Sequence, residues 1–245
     1  MNQSTSASRG GLFLAAGLLG ASFIGGVIAT NFHPSGIDPN NHPLVFVQYA
    51  HSWGWTADHA GWFFATALAI AGFLALLDAL NLTGGVARIA VRIGMVLGGA
   101  AIAITALREV VDGVVLKRAV DAWVIAPSSE QASRFAAAEV ARWMEEGAYS
   151  YQSYLLAMLL AVLAGLIIWT GRMPRPLGIV LAVAAVANFA LGWILGESGF
   201  APQGAAPAIV TEFVPPVVAI YLGVVAWRMS RVGVERPQTK LEPAV

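Results

Sequence analysis

Apolar positions in this chain gather into six near-continuous stretches, at 11–30, 59–80, 90–111, 151–170, 177–196 and 208–229. Each is long enough to cross a hydrocarbon core of about 30 Å, which takes roughly 20 helical residues. They are runs of Leu, Ala, Val and Gly, unlike the alternating strands of about ten residues that build a membrane barrel. The pattern predicts an all-α fold, a six-transmembrane helix bundle forming one integral membrane domain over 1–245. A short polar segment with Arg9 precedes the first stretch, as in a secretory leader, but the apolar run continues to Ala29. A leader's apolar core occupies about 7 to 15 residues, so this stretch reads as an anchor.

The connections at 81–89 and 171–176 are short, which makes spans 2 and 3, and spans 4 and 5, antiparallel neighbours. Two connections are long. Segment 31–57 is turn-rich and then aromatic, with Phe46, Tyr49, Trp53 and Trp55 followed by Trp62, so it is expected along the outer interface. Segment 112–150 predicts an amphipathic extracytoplasmic helical hairpin between spans 3 and 4. Ser128 or Ser129 after Pro127 can cap its second helix, with Gln131 placed for a capping box from Ser128. Ala136, Val140, Trp143 and Met144 then recur at helical spacing, while Arg134, Arg142, Glu145 and Glu146 fall largely on another face.

Composition narrows the class further. Only 11% of residues are charged and 58% are hydrophobic, against about a quarter charged in soluble domains. Fourteen basic residues balance fourteen acidic ones, which leaves no surplus for a phosphate backbone and excludes nucleic acid as a partner. No cysteine is present, so disulfides, iron–sulfur clusters and thiolate nucleophiles are excluded. Nine basic residues, Arg9, Arg88, Arg92, Arg172, Arg175, Arg228, Arg231, Arg236 and Lys240, fall on one side of the six spans. The other five all lie in 108–142, and eleven of the fourteen acids share their side. Basic residues stay cytoplasmic, so both termini are expected inside.

Arg108, Glu109 and Asp112 close the third span, and ionisable groups at that depth face protein or water. Arg108 and Asp112, four apart, are placed to pair as a structural ion pair or to face a ligand. In span 6, Pro215 and Pro216 remove two backbone donors and free the carbonyls of Thr211 and Glu212. Glu212 is thereby a candidate cavity acid, or the segment is a plain proline kink. Glu145, Glu146 and Glu197 flank spans 4 and 5 on the same side, so topology alone predicts a polar outer mouth. The four histidines, His33, His42, His51 and His59, are separated by nine, nine and eight residues, which puts no two on adjacent turns of one helical face. His33 and His42 precede prolines and read as solvated; a metal centre on His51 and His59 is the minority alternative. Asn188 reads as a hydrogen-bonding link between helices. Gly94 with Gly98, and Gly17 with Ala21, read as close-packing pairs within the bundle or as a homo-oligomer face.

Catalytic patterns fail on inspection. Glu145-Glu146 invites comparison with the paired glutamates of intramembrane CAAX-type proteases, but Ser150 stands where their arginine belongs and no histidine follows. Neither a serine-nucleophile elbow nor a phosphate-binding glycine loop occurs. One resemblance does extend over most of the chain. His33-Pro34, Asp38-Pro39-Asn40, His42-Pro43 and Phe46-x-x-Tyr49-Ala50-x-Ser52 with His59 form its first part. Asp112-Gly113, Leu116-Lys117, Val120-Asp121-x-Trp123, Glu139-x-x-Arg142-Trp143, Ser150-Tyr151 and Pro174-Arg175-Pro176-Leu177-Gly178 form the rest. Together they resemble a family of uncharacterised six-helix integral membrane proteins of actinobacteria and other bacteria. The resemblance implies a six-helix fold and no activity, so it transfers no catalytic residue.

The resulting expectation is a bacterial inner-membrane protein, multi-pass and non-enzymatic, without a cofactor. Its leading role is ligand binding, sensing or transport through an outer mouth built from Arg108, Glu109, Asp112, Glu145, Glu146, Glu197 and Glu212. The alternative is an accessory protein that docks a membrane partner through the charged face of 130–147. The third reading is a metalloenzyme on His51, His59 and nearby carboxylates.

Overall fold

The computed structural model describes residues 7–234. Glu235, Arg236, Lys240 and Glu242, which enter the charge count, lie outside the described residues. Eight α-helices carry the fold: α1 (Arg9–Thr30), α2 (His42–Ala50), α3 (Trp55–Ala79), α4 (Gly85–Val110), α5 (Lys117–Val124), α6 (Gln131–Thr170), α7 (Arg175–Ser198) and α8 (Ala205–Val234). A π-helical stretch, Val111–Leu116, joins α4 to α5, and a short 3-10 turn precedes α8. Six helical segments are long and apolar enough to cross a membrane, and they overlap the six stretches expected from sequence. The protein is an all-α six-helix bundle of multi-pass character.

α1 packs antiparallel along α3 and also against α8, while α6 packs on α7 and α4. The start of α1 is tied down by sequence: Ser8 Oγ accepts from Gly11 N at 3.3 Å, and Ser8 N donates to the Ala79 carbonyl at 2.8 Å. The start of α1, the end of α8 and the turns at 80–84 and 171–174 therefore share one end of the bundle, the turn end. α2, the π-helical stretch, α5 and the start of α6 form the opposite, hairpin end.

Two apolar clusters hold these ends. Leu12, Leu19, Ile70, Leu76, Leu159, Leu163, Leu181 and Leu222 fill the first, through the body of the bundle. Phe46, Tyr49, Trp55, Leu116, Val120 and Ala138 make the second, at the hairpin end. Lipid tails are as apolar as leucine, so close packing replaces water exclusion as the force between spans. Gly94 and Gly98 show this: a Cβ on either would meet Leu77 or Leu74 of α3 at 2.6 Å. Gly17 and Ala21 do not pack within the bundle, because Gly17 has nothing within 4 Å of an added Cβ and Ala21 is exposed.

The hairpin end departs from expectation in three ways. Pro43 in the first turn starts α2, which folds the middle of the 31–57 connection into a helix whose Val45, Phe46 and Tyr49 are buried; Trp55 is buried as well, and Trp53, at 91% exposure, fits the interfacial reading. The capping box does not form. α6 begins only at Gln131, whose Nε2 reaches back to the carbonyls of Trp123 at 3.3 Å and Ala126 at 2.9 Å and so closes the α5–α6 turn. Finally, the amphipathic start of α6 is turned inside out. Val140, Trp143 and Met144 are exposed, whereas Arg142 and Glu145 are buried. A helix of 40 residues is about 60 Å long at 1.5 Å per residue, so one continuous helix carries this reversed face into a membrane span. Apolar side chains outward and charges inward is the arrangement a lipid surround favours.

Candidate functional site

A cavity of about 530 Å³ lies between the two apolar clusters. Ile70, Phe73, Leu160 and Ala184 line it toward the turn end, and His33, Tyr49, Arg142 and Glu145 toward the hairpin end. Its walls come from α1, α3, α6, α7 and α8, with Arg108 added from the end of α4 and Asp112 from the π-helical stretch.

The π-helical turn explains how Asp112 enters this wall. Widening from α-helical to π-helical bonding rotates the residues that follow and leaves carbonyls open to other donors. Trp55 Nε1 donates to the Asp112 carbonyl at 2.9 Å, and Thr56 Oγ1 to the Gly113 carbonyl at 3.2 Å. Thr56 thus joins α3 to this turn and does not cap α3. Gly113 permits the approach, since a Cβ there would stand 2.6 Å from His59 Cβ.

His59 is buried and engaged at both ring nitrogens. Nδ1 lies 2.7 Å from the Trp55 carbonyl oxygen, which can only accept, so Nδ1 carries a hydrogen and donates. Nε2 lies 2.8 Å from Asp112 Oδ2, a contact that holds one proton between the two groups. The expected pairing of Arg108 with Asp112 is replaced: Arg108 Nη1 stands 3.3 Å from Glu109 Oε1, with its guanidinium 3.8 Å over the Tyr149 ring. Arg142 is the second guanidinium. Its Nη1 donates to Glu145 Oε2 at 2.6 Å and its Nη2 to Tyr49 Oη at 3.3 Å, and it lies 4.3 Å from the Phe200 ring.

His33 is not solvated as its Pro-flanked loop suggests. Its ring centroid lies 5.3 Å from that of Trp55 and 5.8 Å from that of His59. Burial, helped by the neighbouring His59, lowers its pKa from the ordinary histidine value. Burial likewise pushes the Tyr49 hydroxyl upward, which leaves it a neutral acceptor for Arg142.

Of the residues proposed from sequence, Arg108, Asp112, Glu145 and Glu212 line the cavity. Glu109 is buried behind it against Arg108. Glu146, 3.6 Å from Arg142 Nε, and Glu197, exposed on the last turn of α7, do not line it. The His51 and His59 pairing is corrected. His51 is exposed, with Nδ1 on its own helix at the Val47 carbonyl (2.7 Å), and the group that converges is His33, Asp58 and His59. Among the described residues the hydrogen bond of Asn188 runs to Ala184 in its own helix, at 2.9 Å, in place of the expected link between helices, and the side chain lines the cavity. Sequence reasoning missed His33, Asp58, Tyr149, Gln152 and Ser153. Gln152-Ser153 carried a usable signal, as adjacent polar residues just inside an apolar run.

Several buried polar atoms have no hydrogen-bond partner among the described residues: Arg108 Nε, Arg142 Nε, Asp112 Oδ1, Gln152 Oε1 and Ser153 Oγ, all on residues that line the cavity. Buried groups of this kind cost about 1–3 kcal/mol each when unpaired, so the wall is built to meet polar matter. The arrangement offers donors, acceptors and a shared proton beside an aromatic surface of Phe23, Trp62 and Phe73. Comparison of the chain with family models, with curated proteins and with solved structures finds no match.

Proposed function

We propose that the chain is a multi-pass protein of a bacterial cell membrane that binds a small amphipathic molecule carrying a protonated amine, in a transport or sensing role without catalysis. Both termini are cytoplasmic and the hairpin end faces outward in this reading. One observation carries the choice of ligand. Asp58, Glu109, Asp112 and Glu145 are buried around the cavity, and the exposed Glu212 also lines it, against Arg108, Arg142 and the His59 imidazole. A surplus of buried carboxylates costs several kcal/mol per uncompensated ion, and an incoming positive group relieves it. The aromatic wall accepts the apolar body, and the Nε groups of Arg108 and Arg142 donate to an oxygen of the same molecule.

Phenethylamine, phenylalanine and phenylacetate share one apolar body and differ in charge, so they test the reading directly. Saturation at about 100 times Kd stabilises a protein by about 2.7 kcal/mol. Phenethylamine and phenylalanine are expected to raise the melting temperature of the detergent-solubilised chain, phenylacetate to leave it unchanged, and Asp112→Asn to abolish the rise. Stabilisation by phenylacetate alone, or by none of the three, overturns the amine assignment.

Orientation has its own test, made simple because the chain has no native cysteine. Ile125→Cys, at a position 84% exposed between α5 and α6, is expected to react with an impermeant maleimide on intact spheroplasts. Gly84→Cys, in the exposed turn before α4, is expected to react only after permeabilisation. The opposite labelling would invert the topology.

A further inference from the structure

We infer that His33, Asp58 and His59 form a binding site for a divalent transition-metal cation of the zinc type. One ligand atom from each lies within 4.8 Å of the other two. The closest pair of opposite charge, His59 Nδ1 and Asp58 Oδ2, is 3.8 Å apart. Bonds of about 2.0–2.1 Å in a tetrahedral zinc site set donor separations of about 3.3 Å, so the cluster needs a modest contraction. His33 can supply it, because it sits in the connection between α1 and α2 and not on a helix.

Asp58 is the independent observation that points to a cation. Its side chain is fully buried, at 0% exposure, with only the Trp62 indole and the His59 ring, 3.8 Å away, turned toward its oxygens, neither of them in a well-formed hydrogen bond. A carboxylate so weakly compensated carries most of its desolvation cost, which a metal ion would remove. The first turn of α3 explains the convergence: Asp58 and His59 are consecutive, and the Trp55 ring, 4.4 Å from His59 and 5.3 Å from His33, fixes both imidazoles against one surface.

Asp112 completes the arrangement. Binding through Nδ1 releases the proton that this nitrogen donates to the Trp55 carbonyl at 2.7 Å and turns the ring off that oxygen, while Asp112 Oδ2, 2.8 Å from Nε2, stands to accept from the other ring N–H. A metal-bound imidazole that donates its other N–H to a carboxylate is the usual outer support of such sites. A dication with Asp58 and Asp112 is neutral as a group, which suits a low-dielectric surround. Three protein ligands leave coordination positions free, and because His33 and His59 line the cavity those positions open into it. Two imidazoles and one carboxylate favour zinc, cobalt or copper over magnesium or calcium. Asp58 and Asp112 also count in the charge surplus behind the amine reading, but the two are told apart by the probe, because Co²⁺ binding is read with no amine present and Asp58 does not line the cavity.

The test uses the full chain, purified through a tag without histidine, stripped with chelator and titrated with Co²⁺ and Zn²⁺. The expected result is saturation near one Co²⁺ per chain, with visible d–d bands, displaced by Zn²⁺. Asp58→Asn and His33→Gln are each expected to weaken binding by at least about tenfold, while His51→Gln, exposed and outside the cluster, keeps wild-type affinity. His33→Gln lies in a connecting segment and carries the test if Asp58→Asn does not fold. Absence of saturable Co²⁺ binding by the wild-type chain overturns the site, as does wild-type affinity in the His33 variant.

Discussion

Arg142→Met is expected to destabilise the bundle by about 3–5 kcal/mol, the range for breaking one side of a buried ion pair. Arg142 and Glu145 are 4% and 1% exposed at their side chains and 2.6 Å apart, so neither has water to fall back on. Loss of the guanidinium leaves Glu145 without its counter-charge and removes the donor to Tyr49 and the cation over Phe200. The double variant Arg142→Met/Glu145→Leu removes both charges and is expected to recover most of the loss, because apolar replacement of a whole buried pair is often neutral or better. Unfolding in mixed micelles, followed by helical circular dichroism, measures both variants. A single-variant loss below about 1 kcal/mol, the scale of an exposed pair, would mean that Glu145 takes up a proton in place of its partner.

That pair also shows where sequence reading stops. Arg142 and Glu145 were legible as the charged face of an amphipathic helix, but periodicity gives the angle between two faces and not which face is inside. In water the apolar face of Val140, Trp143 and Met144 turns inward; here it is exposed, and the charges meet the cavity. The six spans, by contrast, were legible because length against bilayer thickness is a one-dimensional criterion. His33 and Asp58 were not, since their meeting depends on a connection 24 residues long between α1 and α3 folding back over Trp55. Arg108 and Asp112 do not pair as a spacing of four would place them, because the α-helix ends at Val110 and Asp112 already lies in the π-helical turn. Glu197 stood at the correct end of α7 but on its outward face.

The π-helical turn leads to the second large effect. Gly113→Ala is expected to cost about 3 kcal/mol, at the upper end for overpacking, although alanine is favoured over glycine in a helix by about 1 kcal/mol. The sign follows from space: the added Cβ would stand 2.6 Å from His59 Cβ and 3.2 Å from its Cγ, and both neighbours are fixed by helix backbone. Relief requires the α4 extension to move off α3. That movement pulls the Asp112 carbonyl from Trp55 Nε1, the Gly113 carbonyl from Thr56 Oγ1 and the Asp112 carboxylate from His59 together. Gly99→Ala on the same helix is the matched control, because nothing lies within 4 Å of its added Cβ, and it is expected to be neutral or stabilising. The two substitutions are chemically identical, so a difference in unfolding free energy isolates the contact at His59 from helix propensity. If Gly113→Ala proves as benign as Gly99→Ala, α3 and the π-helical turn are not held as closely as a built site requires, and Asp112 loses its assigned place beside His59.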